Sequence, residues 1–396
     1  MLKIVGIVAE YDPFHAGHAW QIQQARQAGA RAVVCVMSPS VVQRGGFALF
    51  PTPVRVRAAL AGGADLVLSL PAPYATLSAE GFAAAGVHLL SMLGCVDTLC
   101  FGAETPDPEL LHRTAQTLRR PEFQREMRHA LRQGGGFAAA RAAAAEAVQP
   151  GAAALLASPN NILGVEYCKA IQAQKSPLQV FALARRGAAH GEATPGDGFA
   201  SASALRTLFQ AEGADAMAPY VPAACLPLYL QAQSEGLFHD PTAGSIAILS
   251  RLRGLSAQDL LRVRGVNEGL EHRLYQSIQS AVSLPALYAD LKTKRYAHAR
   301  LRRLVLDAAL GYGKQIPALP PYLHVLGASE QGLAVLKTAK ETACLPLSTS
   351  LARLRDIASD CERIARAHSD AEDLAALCLA QSRPCQTAYT QPFLRV

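Results

Sequence analysis

Apolar positions in the first hundred residues fall into short blocks separated by longer stretches of helical spacing. Ile4–Ala9, Ala32–Met37, Leu66–Leu70 and Thr98–Phe101 are nearly continuous apolar runs, the pattern of strands covered on both faces. Gly17–Ala28, Val54–Ala61 and Ser78–Leu93 lie between them and read as helices. Strands alternating with helices predict an α/β fold, a doubly wound parallel sheet of Rossmann-like type. From Pro106 to Ala157 the pattern is helical, broken at Gly134-Gly135-Gly136. Gln179–Ala184 reads as one more strand, and Gly187–Phe199 as a loop. Beyond about residue 215 strand signals fade and helical spacing continues, punctuated by Pro219, Pro222, Pro227, Pro241 and Pro285. The expected organisation is an α/β domain over 1–215 and a mainly α-helical domain over 216–396.

The polar groups of the first unit gather where its first strand ends. Ile7, Val8 and Ala9 close the apolar run; Glu10, Tyr11, Asp12, Pro13 and Phe14 form a turn; His15, Ala16, Gly17, His18, Ala19 and Trp20 open the helix. A parallel sheet presents ligands at this edge, and a helix N-terminus offers free N–H groups to a phosphate. His15 and His18 are three apart, so they share one side of the first turn. Gly17 has no Cβ and permits close approach to the backbone. Two histidines in a loop are also commonly just solvated. Metal ligation is disfavoured, because no Cys or carboxylate cluster stands at ligand spacing nearby.

Charge and cysteine content narrow the setting. The 396 residues carry a formal charge of +7, compatible with a nucleic-acid partner. Part of it lies in one run, Lys292, Lys294, Arg295, Arg300, Arg302 and Arg303, with Tyr296 and His298 among them. Such a run is either a solvated helix face or an RNA contact. The nine cysteines form no CxxC pair and suit reduced thiols in a cytoplasm. No apolar run reaches the roughly 18–20 residues that span a bilayer. The N-terminus does not read as a signal peptide.

Other polar clusters stand at element ends. Ser38-Pro39-Ser40 and Gln43-Arg44-Gly45-Gly46 follow the second strand, and Phe101-Gly102-Ala103-Glu104 the fourth. Pro159-Asn160-Asn161 precedes a helical run over Val165–Ala173; one Asn suits an N-cap, leaving the other for a ligand. Arg185 and Arg186 end the Gln179–Ala184 strand and could hold a triphosphate, or be surface arginines. Ser201, Ser203 and Arg206 open a further helix, as caps or phosphate contacts.

Taken together, GIVAEYDPFHAGH, QRG, DLVLSLP, YATLSAEGFA, FGAE, PNNILGVEY, RRGAAH, ASASALR and TKRYAHARLRRLVLDAALG resemble the bacterial tRNA(Met) cytidine acetate ligase family. The opening HxGH belongs to a wider nucleotidyltransferase superfamily; PNNILG, ASASALR and TKRY are the specific part. The resemblance runs from residue 4 to about 311, and the tail after about 320 carries no matched motif. It implies an enzyme that converts acetate and ATP to acetyl-adenylate, then acetylates N4 of the wobble cytidine of elongator tRNA(Met). It implies an ATP loop over Ile7–Trp20, with His15 and His18 at the phosphates. Gly102, Asn160 or Asn161, Arg185 and Arg186 would complete the nucleotide site, with Ser203 and Arg206 near the phosphates. Of these, His15, His18 and Arg185 are the expected catalytic residues, and Mg²⁺ is expected on the ATP oxygens. The basic run then becomes a tRNA contact. The chain departs from the family at Pro39-Ser40, Val54-Arg55, Ser69 and Ala189-His190-Gly191. Two alternatives remain open: an adenylyltransferase acting on a small phosphorylated metabolite, and an RNA-binding relative without turnover.

Overall fold

The computed structural model describes residues 3–134, 136–185, 198–267, 269–293 and 296–396. Arg186, Lys294, Arg295 and the Ala189-His190-Gly191 stretch lie outside the described residues. Among the described residues there are ten strands: β1 (Ile4–Ala9), β2 (Ala32–Met37), β3 (Val41–Val42), β4 (Gly46–Phe47), β5 (Leu66–Ser69), β6 (Thr98–Ala103), β7 (Gln179–Ala184), β8 (Leu323–Ala328), β9 (Leu347–Ser348) and β10 (Leu394–Arg395). The main sheet runs β10-β8-β5-β2-β1-β6-β7, with β9 paired to β8 and a separate β3-β4 hairpin. Its central members β5, β2, β1, β6 and β7 are parallel.

The pleat distributes these apolar runs to two cores. On β2, Ala32, Val34 and Val36 face one core, and Val33, Cys35 and Met37 the other. Helices Ala79–Met92 and Pro159–Gln174 cover the first face. The first helix (Ala16–Gln27), Thr52–Ala61 and Ala202–Glu212 cover the second. Successive strands proceed β1 to β2 to β5 on one side and β6 to β7 on the other. The strand order therefore reverses between β1 and β6, and a crevice opens at their carboxyl ends.

The chain after residue 215 is helical, as expected, but it also contributes to the sheet. The second core takes in Tyr229 and Ala232 of helix Leu226–Ser234, and Tyr229 Oη donates to the Phe14 carbonyl at 2.8 Å. Later, β8 pairs antiparallel with β5, and β10 lies parallel to β8. A strand in a mixed sheet needs no neighbour in sequence, and β8 finds its partner more than 250 positions upstream. Residues on both sides of position 215 thus share one sheet.

His324 on β8 and His368 on the helix Ser359–Leu377 are buried where this return packs, with perpendicular rings 6.4 Å apart. His368 Nδ1 accepts the Ala72 N–H at 3.2 Å. Burial pushes His324 down to about 3 and His368 to about 4, from the usual 6.5. Below pH 6.5 the unfolded chain therefore binds these protons before the folded one does. Each histidine removes about 2 kcal/mol of stability by pH 5. The melting temperature, followed by circular dichroism, is expected to fall between pH 7 and pH 5. Replacing both histidines by glutamine should flatten that fall; an unchanged slope would exclude them as its cause.

Candidate functional site

His15 is the N-cap of the first helix and His18 its third residue. The Gly17 N–H donates to His15 Nδ1 at 3.0 Å, and the His15 N–H donates to His18 Nδ1 at 3.2 Å. This capping box decides the chemistry of both rings. Each Nδ1 is an acceptor, so each neutral imidazole carries its proton on Nε2. The rings stack, with centroids 3.8 Å apart. Burial and the guanidiniums of Arg185 and Arg206 push His15 down to about 3. Burial, His15 and Arg185 hold His18 well below the usual range. Two neutral rings thus offer two Nε2–H donors at a helix N-terminus, without the cost of burying imidazolium charge.

The glycine between them has a nearer reason than the one read from sequence. A Cβ on Gly17 would lie 2.9 Å from His15 Cε1 and 3.1 Å from Nδ1. Any larger residue would push the His15 ring off its own cap. Buried Tyr11 and Phe14 support His18 from below, with ring centroids 4.8 and 5.5 Å away. Tyr11 Oη and Cys35 Sγ lie 3.2 Å apart, fixing that floor to β2.

The other wall of the crevice is β6 and its loop. Arg185 follows β7 and packs across Gly102, where a Cβ would meet its Cγ at 3.2 Å. Gln21 Nε2 donates to the Cys100 carbonyl at 3.1 Å and ties the first helix to β6. The helix expected over Val165–Ala173 begins earlier, at Pro159. Its free N–H groups are met from outside: Glu104 accepts from Asn161 N at 2.8 Å and Asn160 N at 3.4 Å. Asn160 Nδ2 adds a third bond to Glu104 at 2.7 Å. Asn161 is buried, and both ends of its amide bind Thr105, through N at 2.8 Å and Oγ1 at 3.2 Å. In this arrangement Asn161 shapes the loop after β6 and has no end turned free.

The helix Ala202–Glu212 closes the near side. Ser201 Oγ caps Ala204 N at 3.2 Å, and Ser203 Oγ lies 3.1 Å from Ser201 Oγ. One turn on, Arg206 donates to the Asp12 carbonyl at 2.6 Å and reaches Asp12 Oδ2 at 3.4 Å. A cleft of about 520 Å³ runs along this helix, lined by Ala200, Ser203, Ala204, Leu208 and Tyr220. Asp12 also pairs with Arg44 and accepts Leu49 N at 2.6 Å. Burial raises the Glu10 carboxyl, and the Arg44 guanidinium opposes that shift. The structure therefore brings His15, Gly17, His18, Gly102, Arg185, Ser203 and Arg206 around one sheet edge. Their geometry suits a polyanion: neutral imidazole donors and guanidiniums converge there.

The family profile described as HIGH Nucleotidyl Transferase matches residues 2–388. The tRNA(Met) cytidine acetate ligase of Anoxybacillus flavithermus is 36% identical, over 89% of this chain and 90% of the relative. The ligase of the same name from Bacillus subtilis is 33% identical, over 91% and 90%. Crystalline Thermotoga maritima TmcAL bound with alpha-thio ATP superimposes with a TM-score of 0.90 at 26% identity, covering 100% of both chains. The chain belongs to the tRNA(Met) cytidine acetate ligase family. The resemblance read from the motifs and the α/β class both hold.

Within this ligase family, the departures of the chain acquire structural partners. Arg55 is wholly buried and donates to the carbonyls of Glu10 at 2.6 Å, Phe50 at 3.0 Å and Pro39. Ser40 gives its N–H and hydroxyl to Glu372, at 2.7 and 2.8 Å. Thr52 Oγ1 reaches the same carboxylate at 3.1 Å. Glu372 lies on Ser359–Leu377, in the tail without a matched motif, and nothing local in the sequence marked it. Val54 packs half-buried against the second core. The Ser69 hydroxyl is buried with no hydrogen-bond partner among the described residues.

The basic run is not one helix. Its helix spans His298–Ala309, and Thr293 and Tyr296 form a bridge before it. Tyr296 is half-buried against the first core with the Arg300 guanidinium 4.7 Å from its ring centre, so its ring is not open for a base to stack on. Lys292 and Arg302 are exposed, and Arg302 lies 5.6 Å from the Tyr288 ring centre. Arg303 is half-buried and reaches the Gln43 carbonyl. Asp307 anchors the helix through Arg264, with both bonds at 2.8 Å, and through Thr76 at 2.7 Å.

Proposed function

We propose that this chain joins acetate to ATP as acetyl-adenylate and passes the acetyl group to N4 of the wobble cytidine of elongator tRNA(Met). In the first step an acetate oxygen attacks the α-phosphorus and the bond to the β-phosphate bridging oxygen breaks, releasing pyrophosphate. In the second, the cytidine N4 attacks the acetyl carbon, AMP leaves, and N4 loses a proton. The observation that carries the first step is the capping box that engages both Nδ1 atoms and leaves two neutral Nε2–H donors near Arg185 and Arg206. Negative charge grows on the α-phosphate oxygens and the departing pyrophosphate. Fixed donors stabilise it without rearranging at the moment of reaction. Ser203 and Gly102 belong to the walls of this nucleotide site, with Asn160 and Asn161 bracing the loop after β6.

Among the described residues no three His, Cys, Asp or Glu side chains converge as a metal site. A Mg²⁺ ion would be carried by the triphosphate oxygens and its own waters. The exposed Lys292 and Arg302, with Arg300, supply charge for tRNA phosphates. None of the nine cysteines is paired, which suits a cytoplasmic setting. Among the described residues no helix is long and apolar enough to cross a membrane.

Purified protein, ATP, labelled acetate and bulk bacterial tRNA should yield labelled tRNA, and omission of ATP should abolish it. Pyrophosphate release that requires a phosphorylated metabolite instead of acetate would replace this reading with an adenylyltransferase. Tight tRNA binding without turnover would leave an RNA-binding relative.

A further inference from the structure

Arg303 sits in the basic run, yet it is half-buried and its side chain reaches the Gln43–Gly45 turn. Its Nη1 donates to the Gln43 carbonyl at 3.3 Å. Burial pushes its guanidinium down from the ordinary arginine range. Its backbone is engaged as well. Gly45 has φ +82°, and a Cβ there would lie 2.4 Å from Arg303 N and 2.5 Å from the Arg302 carbonyl carbon. The basic helix thus rests backbone to backbone on the turn Gln43–Gly45. The other side of that turn is bonded to the first loop. Gln43 N–H donates to Glu10 Oε1 at 2.5 Å, and Arg44 pairs with Asp12. Asp12 in turn receives Arg206, the guanidinium that bears on His15.

We infer that Arg303 is a positioning residue of the nucleotide site, acting through Gln43 and Arg44 on the Glu10–Asp12 turn, and not an RNA contact. Every link in this path is a single hydrogen bond, ion pair or backbone contact. Arg303 sets where the Gln43–Gly45 turn stands. That turn holds Glu10 by a backbone bond and Asp12 by a salt bridge, and Asp12 orients Arg206. Removing the Arg303 donor leaves the Gln43 carbonyl without its partner and frees the turn to drift from the first loop. The inference rests on the reading of the first loop as the ATP site.

The test is ATP binding by isothermal titration calorimetry, with the full chain and no RNA or acetate. Arg303→Met keeps the length of the side chain and loses its donors. It is expected to raise the Kd for ATP roughly three- to ten-fold, the range for losing one partly buried hydrogen bond. Arg303→Lys can still donate to the Gln43 carbonyl and should bring the Kd back close to the parent value. The Arg303→Met ratio should persist at raised salt, where a through-space charge effect is screened. Gly45→Ala carries no charge change and should move the Kd in the same direction, with thermal melts confirming folded protein. An Arg303→Met protein with the parent Kd for ATP and a weakened Kd for tRNA overturns the inference and makes Arg303 an RNA contact. A ratio that vanishes at raised salt also overturns it. Parent protein that does not bind ATP overturns the nucleotide-site reading itself.

Discussion

His18→Ala is expected to lower ATP-dependent acetylation of tRNA by about two to three orders of magnitude, the usual cost of removing one fixed donor to a charged transition state. The substitution removes the Nε2–H and also the Nδ1 that accepts from His15 N–H. Without that cap the protein is less stable by only about 1 kcal/mol. The fold should therefore persist by circular dichroism while turnover collapses. His18→Asn separates the two roles, because its short amide can accept the cap bond but cannot reach as far as Nε2. It should restore the melting temperature and leave turnover low. A His18→Ala protein with full turnover would remove the histidine pair from the mechanism.

The second large effect concerns RNA. Exchanging Lys292, Arg300 and Arg302 for glutamate should weaken tRNA binding by at least about ten-fold. It should also flatten the dependence of log Kd on log salt by about 0.7 to 0.9 for each phosphate that the protein no longer neutralises. The three residues are close in sequence around the start of the basic helix, Lys292 and Arg302 exposed and Arg300 half-buried. Filter binding over a salt series measures both quantities at once. A slope equal to the parent's would return this surface to a solvated helix face. Arg303 is left out of the triple because its side chain is committed to Gln43.

The central parallel strands are legible because burial on both faces leaves an unbroken apolar run, whereas the edge strand Gln179–Ala184 is only half-buried and shows as an apolar stretch alone. Ile4–Ala9, Ala32–Met37 and Gln179–Ala184 stand as strands with the expected bounds. Leu323–Ala328 escapes a sequence reading although it is nearly as apolar, because His324 interrupts it and the helix after it, Glu330–Thr342, leads only to the two-residue strand β9. A strand defined by a distant partner carries little local signal. The site divides in the same way. His15, Gly17 and His18 announced themselves as a strand-end motif, and the capping box adds what spacing alone lacks, the tautomer. Glu372 was invisible, since a carboxylate on an amphipathic helix looks like any solvent-facing residue until its partners, Ser40 and Thr52, are known. Tyr296 misled for a related reason: an aromatic in a basic run looks available to a base, but its ring is covered by Arg300.

The antiparallel β5–β8 ladder bears on how the chain is made. A ribosome releases β1, β2, β5, β6 and β7 long before Leu323 emerges. Until then β5 presents an open edge of unpaired N–H and C=O groups beside apolar Leu66, Val67 and Leu68. Open edges of this kind recruit other strands, including those of neighbouring nascent chains. A segment made well after the parallel strands is thus the one that covers the β5 edge. A shortened chain lacking it would carry the whole HxGH loop and still be prone to aggregate.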